Sequence, residues 1–544
     1  MSTARAVSRR EILRGAGAIA FTAATASLAA ACGNSPSAAG VTQANSKLKL
    51  PTYVPYAQVT PDLPAGQDLL PGFFRYPANL VTAFPSPPAT GAGTVNILVD
   101  TFTPVPPALG SNKFWQALNA KVGADLKFNM VPDSDYSTKV STTLAGGDLP
   151  DIVMLPSWTP QLPQVLKSLF ADLTEFLSAD AVKAYPFLAN IPTFSWQPMV
   201  ANGGIYGLPT PRASIGSIMF TRDDLIAQRS LNPAPQNYQE FLDLCRGLTD
   251  AKAGHWALGN AGATGGGAMQ FALEIAGAPN AWQEQGGKLT NAVTTDAYKQ
   301  ALDIVSSMWK AGLFHPDTFS ATFQQQRDWF GTGKVGLTVD GYAAWDIFVN
   351  TYPGINVGGL VAPAYSGGKS QHFTGSGSYA VTAIKKGSAS RIKQLLQVCN
   401  WMAAPVGTTE HLFRKFGTAG TDYTMVNGAP VATSTGGVET KIPMQYLVDA
   451  APTLGPGRQD IVQKQYDFHK KVAPLLVPDP TVGLYSPSNA TKGAAMYKIL
   501  SDSLSEILRG NQPVSSWSET VSSWRSAGGD QVTKELEEAY AQLH

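Results

Sequence analysis

From Thr94 onward the chain alternates short apolar runs with stretches of helical period, and that alternation leaves few folds open. Residues 94–99, 126–131 and 151–155 read as strands, and 112–122 and 136–144 between them as helices, the first with Asn112 as its cap. Strand, helix, strand in succession argues βαβ units and a mainly parallel sheet. Segments 204–209, 335–339 and 379–384 add strands, while 238–248, 297–309 and 391–402 add amphipathic helices. The helix over 238–248 places Phe241, Leu242, Cys245 and Leu248 on one face. Residues 493–544 read as helical, with a break at 510–513. At 544 residues the chain is too long for one ordinary core and long enough for two lobes.

The first ninety residues read differently. Ser8-Arg9-Arg10-Glu11-Ile12-Leu13-Arg14 resembles a twin-arginine export motif, and an uncharged run over 15–31 follows it. That run is mainly Ala and Gly, too weakly apolar for a permanent span, which needs about 20 apolar residues. Leu28-Ala29-Ala30-Ala31-Cys32 resembles a bacterial lipobox, with Ala29 standing where Leu is usual. Residues 1–31 are therefore expected to be a twin-arginine lipoprotein signal peptide, with lipid on Cys32 anchoring an exported protein to the outer face of the membrane. Residues 32–93, rich in Pro, Ala, Ser and Thr, read as a tether and an arm lying on the surface.

Composition removes several function classes. Forty Lys and Arg against 39 Asp and Glu leave no basic excess, which argues against a nucleic-acid partner. The six histidines show no HExxH spacing, and Asp133-Ser134-Asp135 lacks the rest of a calcium loop and reads as a helix cap. No metal or cofactor is expected. The Gly-rich 262–267 has no Lys-Ser/Thr partner and reads as a cleft loop rather than a phosphate cradle. Of three cysteines, Cys245 and Cys399 fall on helices expected in the second lobe, where buried thiols and a disulfide are both open.

Several motifs then combine. Gly146-Gly147-Asp148-Leu149-Pro150-Asp151-Ile152, Gly204-Ile205-Tyr206-Gly207-Leu208-Pro209 and Asn237-Tyr238-Gln239-Glu240-Phe241 occur in that order. Phe330-Gly331-Thr332-Gly333-Lys334-Val335-Gly336-Leu337 with Asp340-Gly341-Tyr342-Ala343-Ala344-Trp345 follows, then 417–423 with Asn427-Gly428. Together with Trp517 and the tail from Gly528, these resemble the extracellular solute-binding proteins (family 1) of carbohydrate ABC transporters, particularly the large LplA-like lipoproteins. The resemblance spans 94–544. It implies an α/β, two-lobed periplasmic-binding-protein-like fold (type II), probed by a carbohydrate in the cleft between lobes and docking on permease subunits as a monomer. Lobe one is expected over 94–211 with 322–370, and lobe two over 212–321 with 371–544.

A sugar presents apolar C–H faces and many hydroxyls, so a site for it needs aromatic platforms and polar groups. Such a cleft lies where loops leave the C-termini of strands. Trp158, just past the 151–155 strand, reads as a rim platform or as a loop aromatic packed on its lobe. Arg212 sits at the first crossover, where a guanidinium fork suits hydroxyls or a uronate; a plain surface arginine is the competing reading. Asp340, Tyr342 and Trp345 follow a strand and are expected to supply at least one ligand contact. Ser378 and Tyr379 precede the second crossover strand. Trp282 and Trp196 read as platforms or as core. The leading reading is a binding protein that performs no catalysis. An exported glycan-active enzyme with two carboxylates, which leave no linear motif, and a ligand-sensing lipoprotein of the same fold remain the alternatives.

Overall fold

The computed structural model describes residues 38–66, 68–259, 266–449 and 452–543. The export motif, Cys32 and most of the Gly-rich 262–267 lie outside these described residues. Two sheets organise the molecule. Their strands, in chain order, are β1 (Thr94–Thr101), β2 (Asp125–Pro132), β3 (Ile152–Pro156), β4 (Leu208–Pro211), β5 (Ser217–Arg222), β6 (Trp256–Leu258), β7 (Val335–Gly341), β8 (Val357–Leu360) and β9 (Ser378–Ile384).

The lobe-one sheet has the order β2-β1-β3-β9-β4. β1 runs parallel to β2 and β3, whereas β9 is antiparallel to both its neighbours. All five residues of β3 are buried, as a strand covered on both faces requires. The lobe-two sheet has the order β8-β5-β7-β6. The expected α/β class and two lobes are present, but two segments change sides. Residues 322–370 carry β7 and β8 and belong to lobe two, while 371–449 carry β9 and pack into the lobe-one core around Val95, Ile152 and Leu395. The reason is strand pairing: β7 zips against β5 from Leu337↔Thr221 to Gly341↔Ser217, and β9 against β3 from Ala380↔Pro156 to Ile384↔Ile152. Cys399 therefore sits in lobe one, Cys245 in lobe two, and both are buried free thiols. Burial raises both, Cys399 to about 12.

The chain passes between the lobes at 212–216, at 361–377, and again between Val448 of the lobe-one core and Phe468 of lobe two. The first two crossings touch. Gly375 N–H donates to Ser214 O (2.7 Å), and a Cβ on Gly216 (φ +64°) would stand 2.9 Å from Gly375 Cα. Neither glycine can carry a side chain there without moving the other strand.

The arm is more than a surface cover. Residues Ala38–Lys47 form helix α1, with Thr42 0% exposed. Gly203 N–H of lobe one donates to Asn45 Oδ1 (2.7 Å), and Tyr485 N–H of lobe two donates to Thr42 Oγ1 (3.3 Å). Further along, Gly72–Phe73 pairs with Thr453–Leu454, and Tyr76 packs against His411. The arm thus fastens to both lobes and to the region joining them.

Candidate functional site

The C-terminal ends of the lobe-one strands bring together a set of aromatic and charged side chains. Asp100 closes β1, Phe102 follows it, and Asp133 opens the helix Asp133–Gly146 directly after β2. Trp158 lies past β3, Arg212 past β4, and Tyr379 is on β9. Tyr379 Oη donates to Asp100 Oδ2 (2.8 Å). Its ring is 6.3 Å from Phe102, 6.2 Å from Trp158 and 5.8 Å from Tyr446. Arg212 lies over Tyr379 (5.2 Å) and Tyr446 (6.0 Å), within cation–π range, and donates from Nη1 to Pro211 O. Trp158 is 58% exposed, and its Nε1 makes a long contact to Ser137 Oγ (3.4 Å). It is an open ring on the rim.

Lobe two faces this set with Phe323, Arg327 and Asp340. Phe323 begins the helix Phe323–Gly331, whose start is fixed by a capping box between Thr322 and Gln325. One turn on, Arg327 donates from Nε to Asp340 Oδ2 (2.7 Å) and from Nη2 to Oδ1 (3.2 Å). Gly341 N–H also donates to Asp340 Oδ1 (2.7 Å). Phe323 meets Phe102 across the cleft at 6.3 Å, and Arg327 stacks on both. A cavity of about 340 Å³ opens beside them, lined by Phe323, Asp340, Gln270, Gly266 and Gly267, where the Gly-rich loop rejoins the described residues.

The electrostatics of the two walls differ. Burial pushes the Asp100 carboxyl up to about 7; the Tyr379 hydrogen bond and Arg212 pull it down, and Asp133 pushes it up. Asp100 Oδ1 is buried with no partner from another described residue. Burial also raises Asp133, against the pull of Arg327. For Arg327 burial works against the charge, but Asp340 outweighs it and raises the group. Burial lowers Arg212, with Tyr446, Tyr379 and Asp449 opposing.

Of the residues expected from sequence, Trp158, Arg212, Asp340 and Tyr379 meet in this cleft, and five do not. Trp345 is 0% exposed. The helix Ala344–Thr351 turns Ala344, Trp345 and Phe348 onto its buried face, against Phe220 (5.5 Å) and Phe468 (6.0 Å). Tyr342 is buried beside it and donates to Gln465 O (3.0 Å). Ser378 is buried within the lobe-one sheet, accepting from Thr210 N–H and donating to Ala380 O. Trp282 packs with Leu289, Met496 and Trp524, lining a separate cavity of about 280 Å³ with Pro279 and Pro478. Trp196 is core. Sequence reasoning missed Asp100, Phe102, Asp133, Phe323, Arg327 and Tyr446. Three of these, Asp100, Phe102 and Asp133, end or follow predicted strands, so the strand-end rule already pointed to them.

Two α/β lobes joined by crossing segments, with an aromatic and charged cleft between, define a two-lobed binding protein. Residues 108–408 match the family described as bacterial extracellular solute-binding protein, and the chain belongs to that family. Lipoprotein LipO of Bacillus subtilis (strain 168) is 23% identical over 82% of this chain and 92% of its own length. The polygalacturonan/rhamnogalacturonan-binding protein YtcQ of the same organism is 22% identical, over 77% of this chain and 86% of its own. Among solved structures, the alginate-binding protein AlgQ2 without calcium ion superposes with a TM-score of 0.62 at 16% identity, covering 85% of this chain and 99% of that one.

Proposed function

We propose that this protein captures an oligosaccharide outside the cell and delivers it, without catalysis, to the permease of an ABC importer as a monomer anchored through Cys32. The observation that carries this reading is the aromatic set of Phe102, Trp158 and Tyr379 facing Phe323 over a cleft floored by Asp100 and Arg212. Rings supply faces for sugar C–H surfaces, and the unpartnered Asp100 oxygen supplies an acceptor for a hydroxyl. The relatives named for polygalacturonan, rhamnogalacturonan and alginate binding support the carbohydrate part, and the lipoprotein relative supports the anchor.

The test is a melting-point screen of the mature protein against oligosaccharides, followed by small-angle scattering and chromatography of the best ligand. A raised midpoint, a smaller particle and intact sugar are expected, because a ligand bound only by the folded state stabilises it by mass action. Released sugar would replace this reading with hydrolysis. In cells, Cys32→Ser is expected to free the protein from membranes, and Arg9→Lys with Arg10→Lys to block its export. A Cys32→Ser protein that survives a salt wash on the membrane would remove the anchor.

A further inference from the structure

The charged groups around the cleft do not balance. Arg327 is paired with Asp340 through Nε and Nη2, the two side chains being 9% and 7% exposed, so its charge is already met by a carboxylate. Behind Arg212, Arg414 and Lys415 both bind Asp449, and Lys415 also acts on Asp346, so that group is even. What remains is one guanidinium, Arg212, against two carboxylates, Asp100 and Asp133. Among the described residues Asp133 has no hydrogen-bond or ion-pair partner, and Asp100 keeps one oxygen without a partner from another residue. The formal charge on this wall of lobe one is therefore negative, and its carboxylate oxygens are acceptors. Acceptors suit hydroxyls, which donate, and oppose carboxylates, which do not. Burial and the neighbouring carboxylate already resist charge on Asp100, and a third negative group placed beside it meets the same surroundings.

We infer that the ligand is an uncharged oligosaccharide, and that Asp100 and Asp133 set this preference by repelling chains that carry a uronate. The inference rests on the carbohydrate reading above. Like-charge contacts of this kind discriminate between partners more than they add affinity.

The experiment is a glycan array of neutral and uronate-bearing oligosaccharides at about pH 8, where both carboxylates are ionised, with calorimetric titration of the strongest neutral and strongest acidic glycans. The expected result is a neutral best ligand, with the strongest uronate glycan at least about tenfold weaker. Asp133→Asn, at a half-buried position, is expected to narrow that gap, and added salt to narrow it further. A uronate glycan that binds more tightly than every neutral one, with Asp133→Asn leaving the order unchanged, overturns the inference and leaves the carbohydrate reading intact. Failure of every glycan, in a protein that melts cooperatively, overturns the carbohydrate reading itself.

Discussion

The two walls of the cleft are made of the same kinds of residue and are finished differently. On lobe two, Arg327 and Asp340 satisfy one another and the Gly341 N–H completes the carboxylate. On lobe one, Asp100 and Asp133 are held by one tyrosine hydroxyl between them, and the tryptophan beside them is more than half exposed. A closed network is costly to open and does not change on binding, whereas unpartnered groups lose least when a ligand takes them up. Lobe two is thus a frame, and lobe one holds the groups left open for the ligand.

The harshest way to break the contrast is to unpair the frame. Arg327→Leu leaves Asp340 buried without its counter-charge, and a stability loss of about 3–5 kcal/mol is expected by denaturant titration. Trp345→Ala belongs to the same side of the comparison: a core indole is lost, at about 3–5 kcal/mol, and affinity should follow stability rather than fall on its own.

On lobe one the expected effects are smaller and depend on pH. Because the folded Asp100 carboxyl titrates near 7 against an ordinary 3.8, the folded protein holds this proton more tightly than the unfolded chain does. Its contribution therefore favours folding below the ordinary value and is lost as pH rises towards about 7, a fall of roughly 2–4 kcal/mol. Asp133, Arg212 and the hydroxyls of Tyr379 and Tyr136 are the titratable groups acting with it, and burial raises Asp133 as well. Asp100→Asn should flatten the melting profile between about pH 4 and 8; an unchanged profile would assign the slope elsewhere. A ligand hydroxyl donating to Asp100 favours the ionised form, so affinity should rise over the same range, with proton release visible when buffers of different ionisation heat are compared.

Trp158→Ala is the mildest and sharpens the comparison most. The ring is exposed, so stability should move by less than about 0.5 kcal/mol while affinity falls by about 1–3 kcal/mol. Equal loss of both would return Trp158 to a packing role.

Much of the fold was legible because local pattern and buried face coincide. The helix Tyr238–Leu248 begins and ends where its period does, and Asn112 caps its helix by accepting from Trp115 N–H. Lobe membership was not legible, because a run such as Val335–Gly341 shows that it is a strand without showing its partner. The site was half legible for a related reason. Strand ends pointed to Trp158, Arg212 and Tyr379, but the same rule applied to 342–345 failed, since a helix starting at Ala344 carries Trp345 away from the cleft. Arg327 needed the folded chain: it stands thirteen residues before Asp340, and only helix and strand together make the two a pair.

Helix α1 alters how the molecule hangs from its point of attachment. The sequence suggested a tether after Cys32 and an arm lying on the surface, without saying where the one gives way to the other. With α1 seated at the seam between Gly203 and Tyr485, five residues, 33–37, separate Cys32 from the helix. Even drawn straight they reach about 20 Å. A lipid on Cys32 would therefore moor the protein short and by its flank, with the seam no further from the bilayer than that reach allows.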